Sequence, residues 1–149
     1  AAAIPSLPHE VGFPFNIHRG LGAWKMMFFN EDFVLADASD AQVERGRYLV
    51  EGLAHCGECH TPRNALGGLE QDACLTGAPN PSGKGRIPGI TPAHLEWSKA
   101  DLVEYFTSGF TPEFDSAGGH MALVVENLSQ LSEEDRAAVA AYVKALPLE

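Results

Sequence analysis

The chain has 149 residues, 45% of them apolar, enough for one ordinary domain with its own core and a short extra arm. Its formal net charge of -10 disfavours nucleic acid, anionic lipid and any partner recognised through phosphate. No stretch nears the roughly 18 uninterrupted apolar residues that a membrane-spanning helix needs, so a chain without a membrane span is expected.

The opening Ala1-Ala2-Ala3 lacks the charged and apolar regions of a signal peptide, and suits either the remnant of a cleaved leader or a cut inside a longer chain. Pro5, Pro8 and Pro14 oppose helix, and Phe13, Phe15, Ile17, Trp24, Met26, Phe28 and Phe33 follow no clear period. Residues 1–37 are therefore expected to form an irregular N-terminal arm or inter-domain connector. Its aromatics would be covered by the domain 38–149 or by the groove of another protein.

The domain opens with a helix expected over 39–53, which Ser39 or Asp40 can cap and whose Val43, Gly46, Val50 and Leu53 recur at intervals of three and four. The glycine- and proline-rich stretch 67–92 argues for loop. Ser98-Lys99-Ala100-Asp101 is a capping-box pattern that opens a second helix. A turn-rich segment, 108–119, leads to Met121 and a short helix ending near Leu128. The last helix starts at Ser132, loads Glu133, Glu134 and Asp135 on its positive dipole end, and stops at Pro147. Its stripe of Val139, Tyr142, Val143 and Leu146 is expected to cross the first helix at Gly46, where a missing side chain permits close approach. The fold class implied is all-α, small and rich in loops.

The first helix delivers the chain into Cys56-Gly57-Glu58-Cys59-His60, the attachment signature of c-type haem. Two thiols at this spacing on one helical turn reach the two vinyl groups of one porphyrin, and the next residue sets its imidazole under the iron. A thioredoxin-like redox pair would need a βαβ context, and a structural zinc site would need a second ligand pair. For the opposite face of the iron, methionine is the soft ligand that favours the ferrous state. Met121, after Gly118-Gly119, is the candidate; His120 is its rival, while Met26 and Met27 read as packing residues. His9, His18, His55 and His94 read as surface or loop histidines. Arg63 and Trp97 are candidates to meet the haem propionates through guanidinium and indole N–H. Cys74 is left over, either buried or linked to a partner chain.

These residues resemble a class I cytochrome c domain over 41–146. The resemblance rests on Glu44-Arg45-Gly46-Arg47-Tyr48-Leu49, on His55 through Thr61-Pro62-Arg63-Asn64, and on the stretch 128–146. More narrowly, the chain is similar to the haem domains in multihaem cytochrome subunits of periplasmic alcohol and aldehyde dehydrogenases. Phe13-Pro14-Phe15-Asn16 through Trp24-Lys25 to Phe28-Phe29 looks like the connector between such domains, and Ala3-Ile4-Pro5-Ser6-Leu7-Pro8 resembles the closing turn of a preceding one. Two features depart from the pattern. Only one haem motif is present, and Pro88-Gly89-Ile90-Thr91-Pro92 stands where relatives often carry an asparagine.

The expected function is thus a monohaem c-type cytochrome, periplasmic or otherwise extracytoplasmic, with iron held by His60 and Met121. It would pass single electrons and do no substrate chemistry of its own. The resemblance implies a dehydrogenase subunit as donor and another cytochrome, a quinone-linked complex or an oxidase as acceptor. The alternatives are a haem enzyme or a sensor of gas or peroxide with an open distal site, and a pure interaction module whose arm recruits a dehydrogenase.

Overall fold

A computed structural model of the chain describes residues 10–13, 16–81 and 83–147. Pro5, Pro8, Pro14, Phe15 and the turn proposed at 3–8 lie outside them. The chain divides into two units, Ala1–Glu31 and Asp32–Glu149.

In the first unit the expected irregular run contains a helix, α1 (His18–Phe28), inside which Trp24 and Phe28 bring their rings to 5.5 Å. The reason is positional: all three prolines of this region precede His18, so nothing from 18 to 28 removes a backbone donor. The helix buries none of its residues, and Met26 is 90% exposed. Met26 and Met27 are therefore surface residues here and not the packing residues their aromatic neighbourhood suggested.

The second unit is built on four helical segments. Asp40, rather than Ser39, caps α2 (Ala41–Arg47), its carboxylate accepting from the Gln42 and Val43 amides at 2.9 and 3.0 Å. The predicted helix does continue to Leu53, but Tyr48–Leu53 is wound as a π-helix, with Ala54 N–H donating to Leu49 O at 2.8 Å. Such wide turns are rare and cluster near functional sites. α4 (Lys99–Ser108) has the expected capping box, with Ser98 N–H donating to Asp101 at 2.8 Å and Asp101 N–H to Ser98 Oγ at 3.1 Å. It stops at Gly109, which takes the left-handed conformation at φ 80°. α5 (Gly119–Leu128) and α6 (Glu133–Ala145) complete the set, the latter capped by Ser132.

α6 packs on both α2 and α4, and α4 also packs on α5. Leu49, Val50, Leu102, Phe106, Val139, Tyr142, Val143 and Leu146 form the centre of the core. All four residues of the stripe expected on α6 are buried. The crossing falls at Gly46: a Cβ there would lie 2.0 Å from the Ala138 carbonyl oxygen and 2.6 Å from Tyr142 Cβ. On the rim of the same interface Arg45 grips Asp135 with Nε at 2.7 Å and Nη2 at 2.9 Å, which holds the Asp135 carboxyl below its ordinary range.

Tyr142 is fully buried, and its hydroxyl donates to Glu51 Oε1 while Glu51 Oε2 accepts from Val34 N–H at 3.0 Å. Arg47 secures the same segment, donating to Leu35 O and Ala36 O at 3.1 and 3.2 Å and lying 4.3 Å over the Phe33 ring. Burial first, and the Glu51 carboxylate second, push the Tyr142 pKa well above its ordinary value. The folded state therefore keeps a proton that the unfolded chain loses near pH 10, so this group stabilises the fold below about pH 10 and that stability is lost as the pH rises further. Denaturant titrations should show wild type weakening above about pH 10 more steeply than Tyr142→Phe. At neutral pH the variant should be less stable by about 1–2 kcal/mol through the lost hydrogen bond.

Over residues 67–92 the chain is mostly loop, as its composition predicted. A 3₁₀ turn (Gln71–Ala73) and a two-residue antiparallel pair, β1 (Ala78–Pro79) with β2 (Arg86–Ile87), are its regular elements among the described residues.

Candidate functional site

The π-turn ends by letting Cys56 N–H donate to Val50 O at 3.1 Å, and His55 takes φ 40° where the chain changes direction. The next residues form one short turn, α3 (Gly57–His60), for which Cys56 is the N-cap. Cys56 and Cys59 thus sit three positions apart on a single turn, neither in a disulfide, with Cys59 exposed and Cys56 half-buried. Burial pushes the Cys56 thiol up to about 11. A reactive Cys-x-x-Cys pair needs the opposite, a lowered thiol pKa, and the described residues hold no βαβ unit to supply one. Nor is any group of three or more His, Cys, Asp or Glu side chains gathered for a metal among the described residues.

His60 is oriented by the loop that follows. Its Nδ1 lies 2.7 Å from Pro88 O, so Nδ1 carries the proton and donates, leaving Nε2 as the free lone-pair donor. Burial lowers the His60 pKa, with the Pro88 contact partly opposing it, and the ring is neutral at pH 7 as metal ligation requires. The backbone is clamped too: Gly77 N–H donates to His60 O at 2.7 Å. Gly77 sits at φ 95°, and a Cβ there would come within 2.7 Å of Gly89 N, so only glycine lets the two arms of the loop close on the histidine. Below it, buried Thr61 accepts from Leu75 N–H at 3.0 Å and lies 3.5 Å from Cys74 Sγ. Cys74 is half-buried there, facing Thr61 rather than open solvent.

This donor set fits a covalently attached porphyrin. Two free thiols on one turn and a neutral imidazole with Nε2 available and Nδ1 held by a carbonyl are the chemistry such a group needs, and the carbonyl partner fixes tautomer and ring orientation. The remaining candidates fall elsewhere. Met121 is the third residue of α5 and half-buried, whereas the adjacent His120 is exposed. Arg63 is engaged locally, paired with Glu58 and donating to Gly67 O at 2.8 Å. Trp97 stacks edge-on against Tyr105 at 5.1 Å, at the margin of the core. The contribution of Pro88 was not legible in the sequence, since a backbone carbonyl has no residue signature, and the Gly77–Gly89 closure appeared there only as loop composition.

Comparison with known proteins decides the family. Residues 43–147 match the family model for cytochrome c. The chain belongs to the cytochrome c family. Membership implies haem c, covalently held and carrying iron. A diheme cytochrome c-type protein of Cereibacter sphaeroides is 56% identical over 140 residues, covering 94% of this chain and 47% of that protein. The fructose dehydrogenase cytochrome subunit of Gluconobacter japonicus is 38% identical over 149 residues, covering 96% of this chain and 30% of that subunit. A cytochrome c subunit of the quinone alcohol dehydrogenase of Gluconacetobacter polyoxogenes is 32% identical, covering 97% and 33% respectively. The chain thus spans about half of the first relative and about a third of the other two. Among the described residues no helix is long and apolar enough to cross a membrane.

Proposed function

We propose that this cytochrome c carries one haem on Cys56 and Cys59, with His60 and Met121 as axial ligands, and passes single electrons from a dehydrogenase subunit to another cytochrome, a quinone-linked complex or an oxidase. The setting proposed is the periplasm or another extracytoplasmic space, with residues 38–149 as the haem domain and 1–37 as arm or connector. The observation that carries the reading is the 2.7 Å contact from His60 Nδ1 to Pro88 O on the very turn that bears both thiols. When bound, haem iron supplies a one-electron couple that makes and breaks no substrate bond.

The protein's own part is to hold that group. Cys56 and Cys59 would anchor it covalently. Pro88 keeps the His60 ring aimed and raises the basicity of Nε2. Half-buried Met121 is favoured over exposed His120 for the opposite face, since a ligand must be withdrawn from water to stay bound. Arg63 and Trp97 remain proposed propionate contacts, Arg63 after exchanging its local partners. The net charge of -10 supports attraction to basic partners, which salt should weaken.

The test is an absorption spectrum in both redox states, followed by carbon monoxide added to the reduced protein. Wild type should show haem in both states and take up little carbon monoxide. Met121→Ala should bind it stoichiometrically and have a lower reduction potential, while His120→Ala behaves as wild type. Rapid carbon monoxide binding by wild type would instead establish an open iron and the enzyme or sensor reading.

A further inference from the structure

One surface feature lies outside the core described above, to which residues 111–116 contribute no side chain. The loop 111–116 between α4 and α5 is closed by its own hydrogen bonds: Thr111 N–H donates to Asp115 O at 2.8 Å, Phe114 N–H to Thr111 O at 3.0 Å, and Asp115 N–H to Thr111 Oγ1 at 3.2 Å. Its base is tied by Ala117 N–H to Gly109 O at 2.8 Å and by a bridge between Phe110 and Ser116. The loop is therefore a built structure. At its tip Phe114 stands 93% exposed at φ 64°.

Both facts cost free energy. A bulky residue in the left-handed region is strained, and a phenyl ring in water forgoes the burial that stabilises it elsewhere. The other described non-glycine residues with positive φ, His55 and Leu75, adjoin the haem turn or the core. Phe114 belongs neither to the core nor to the turn that bears the two thiols. Glu113 and Asp115 flank it, and from Gly109 to Gln130 the chain carries Glu113, Asp115 and Glu126 but neither lysine nor arginine. The loop also runs directly into α5, whose third residue is Met121. An exposed aromatic on a hydrogen-bonded loop, flanked by two carboxylates and seven residues before a proposed ligand of the electron-carrying group, has the anatomy of a binding hot spot, where pre-organisation of the loop lowers the entropy cost of docking.

Resting on the electron-transfer reading, we propose that the loop 111–116 is the docking knob for a redox partner: Phe114 seats in an apolar hollow of an electron-transfer protein whose contact face is basic. The two chemistries divide the work. The carboxylates raise the encounter rate and respond to salt, and the ring sets how long the complex lasts.

The experiment uses the haem-loaded full chain, reduced, mixed in stopped flow with an oxidised lysine-rich monohaem cytochrome c as probe. Ferricyanide, a small anion that needs no docking knob, is the control oxidant. Wild type should reduce the cytochrome at a rate that falls with ionic strength. Phe114→Ser should lower that rate about tenfold at low salt, with the ferricyanide rate and both spectra unchanged. Glu113→Gln combined with Asp115→Asn should flatten the salt dependence. A Phe114→Ser rate equal to wild type overturns the proposal. So does a shifted spectrum or ferricyanide rate, which would put Phe114 against the haem, or a change in sedimentation, which would make this face a contact between copies. Wild type that exchanges electrons with neither oxidant brings down the electron-transfer reading as well.

Discussion

Replacing Gly46 by alanine should cost about 3 kcal/mol of folding free energy. The new Cβ would lie 2.0 Å from the Ala138 carbonyl oxygen and 2.6 Å from Tyr142 Cβ, and neither atom can yield unless α6 moves as a body away from α2. That displacement opens the contact between Val50, Val139, Tyr142 and Val143, and it pulls Arg45 from Asp135. Denaturant unfolding should show the midpoint falling with the slope unchanged, and heating should lower the Tm by roughly 10 °C. Gly52→Ala is the control: a Cβ there meets the Tyr48 ring at 3.7 Å, an ordinary contact, so this variant should match wild type or exceed it slightly. Equal stability of Gly46→Ala and wild type would mean that α2 and α6 do not cross at this point.

The double variant Cys56→Ser with Cys59→Ser should abolish covalent haem. Measured under denaturing conditions, wild type should have the polypeptide mass plus one haem, and the variant the polypeptide mass alone. The reason lies in the turn Gly57–His60 and its N-cap Cys56, which carry both thiols within one turn, Cys59 exposed and Cys56 half-buried, while Pro88 and Gly77 hold His60. Each serine leaves the backbone of the turn intact, so His60 should still ligate iron in haem added from outside, giving a coloured complex that acid and organic solvent strip. A wild-type mass with no haem, or with more than one, would overturn the proposed stoichiometry. Loss of colour together with loss of helical content would instead mean that the cysteines hold the fold.

These two expectations draw on different sources. The second rests on a motif of five adjacent residues, whose meaning survives without any tertiary knowledge because the thiols and imidazole act on one local group. The same holds for the caps at Ser98 and Ser132, each read from residues within one turn and each found with its side chain accepting the expected amide. The α6 stripe and its glycine crossing were legible because a helix period of 3.6 maps spacing onto a face.

What the sequence could not carry is whatever joins residues far apart through the backbone. Pro88 meets His60 across 28 positions through a carbonyl that every residue owns. Gly77 and Gly89 approach closely only because the loop folds back, and composition records their number but not their meeting. The π-turn over Tyr48–Leu53 continues an apolar pattern that an ordinary helix would also satisfy, and α1 was hidden by prolines that stand just outside it. Covalent chemistry, capping and helix faces are thus set by near neighbours in the chain. The aim of the His60 ring and the closure of Gly77 on Gly89 follow from how distant segments pack, and no local pattern encodes that.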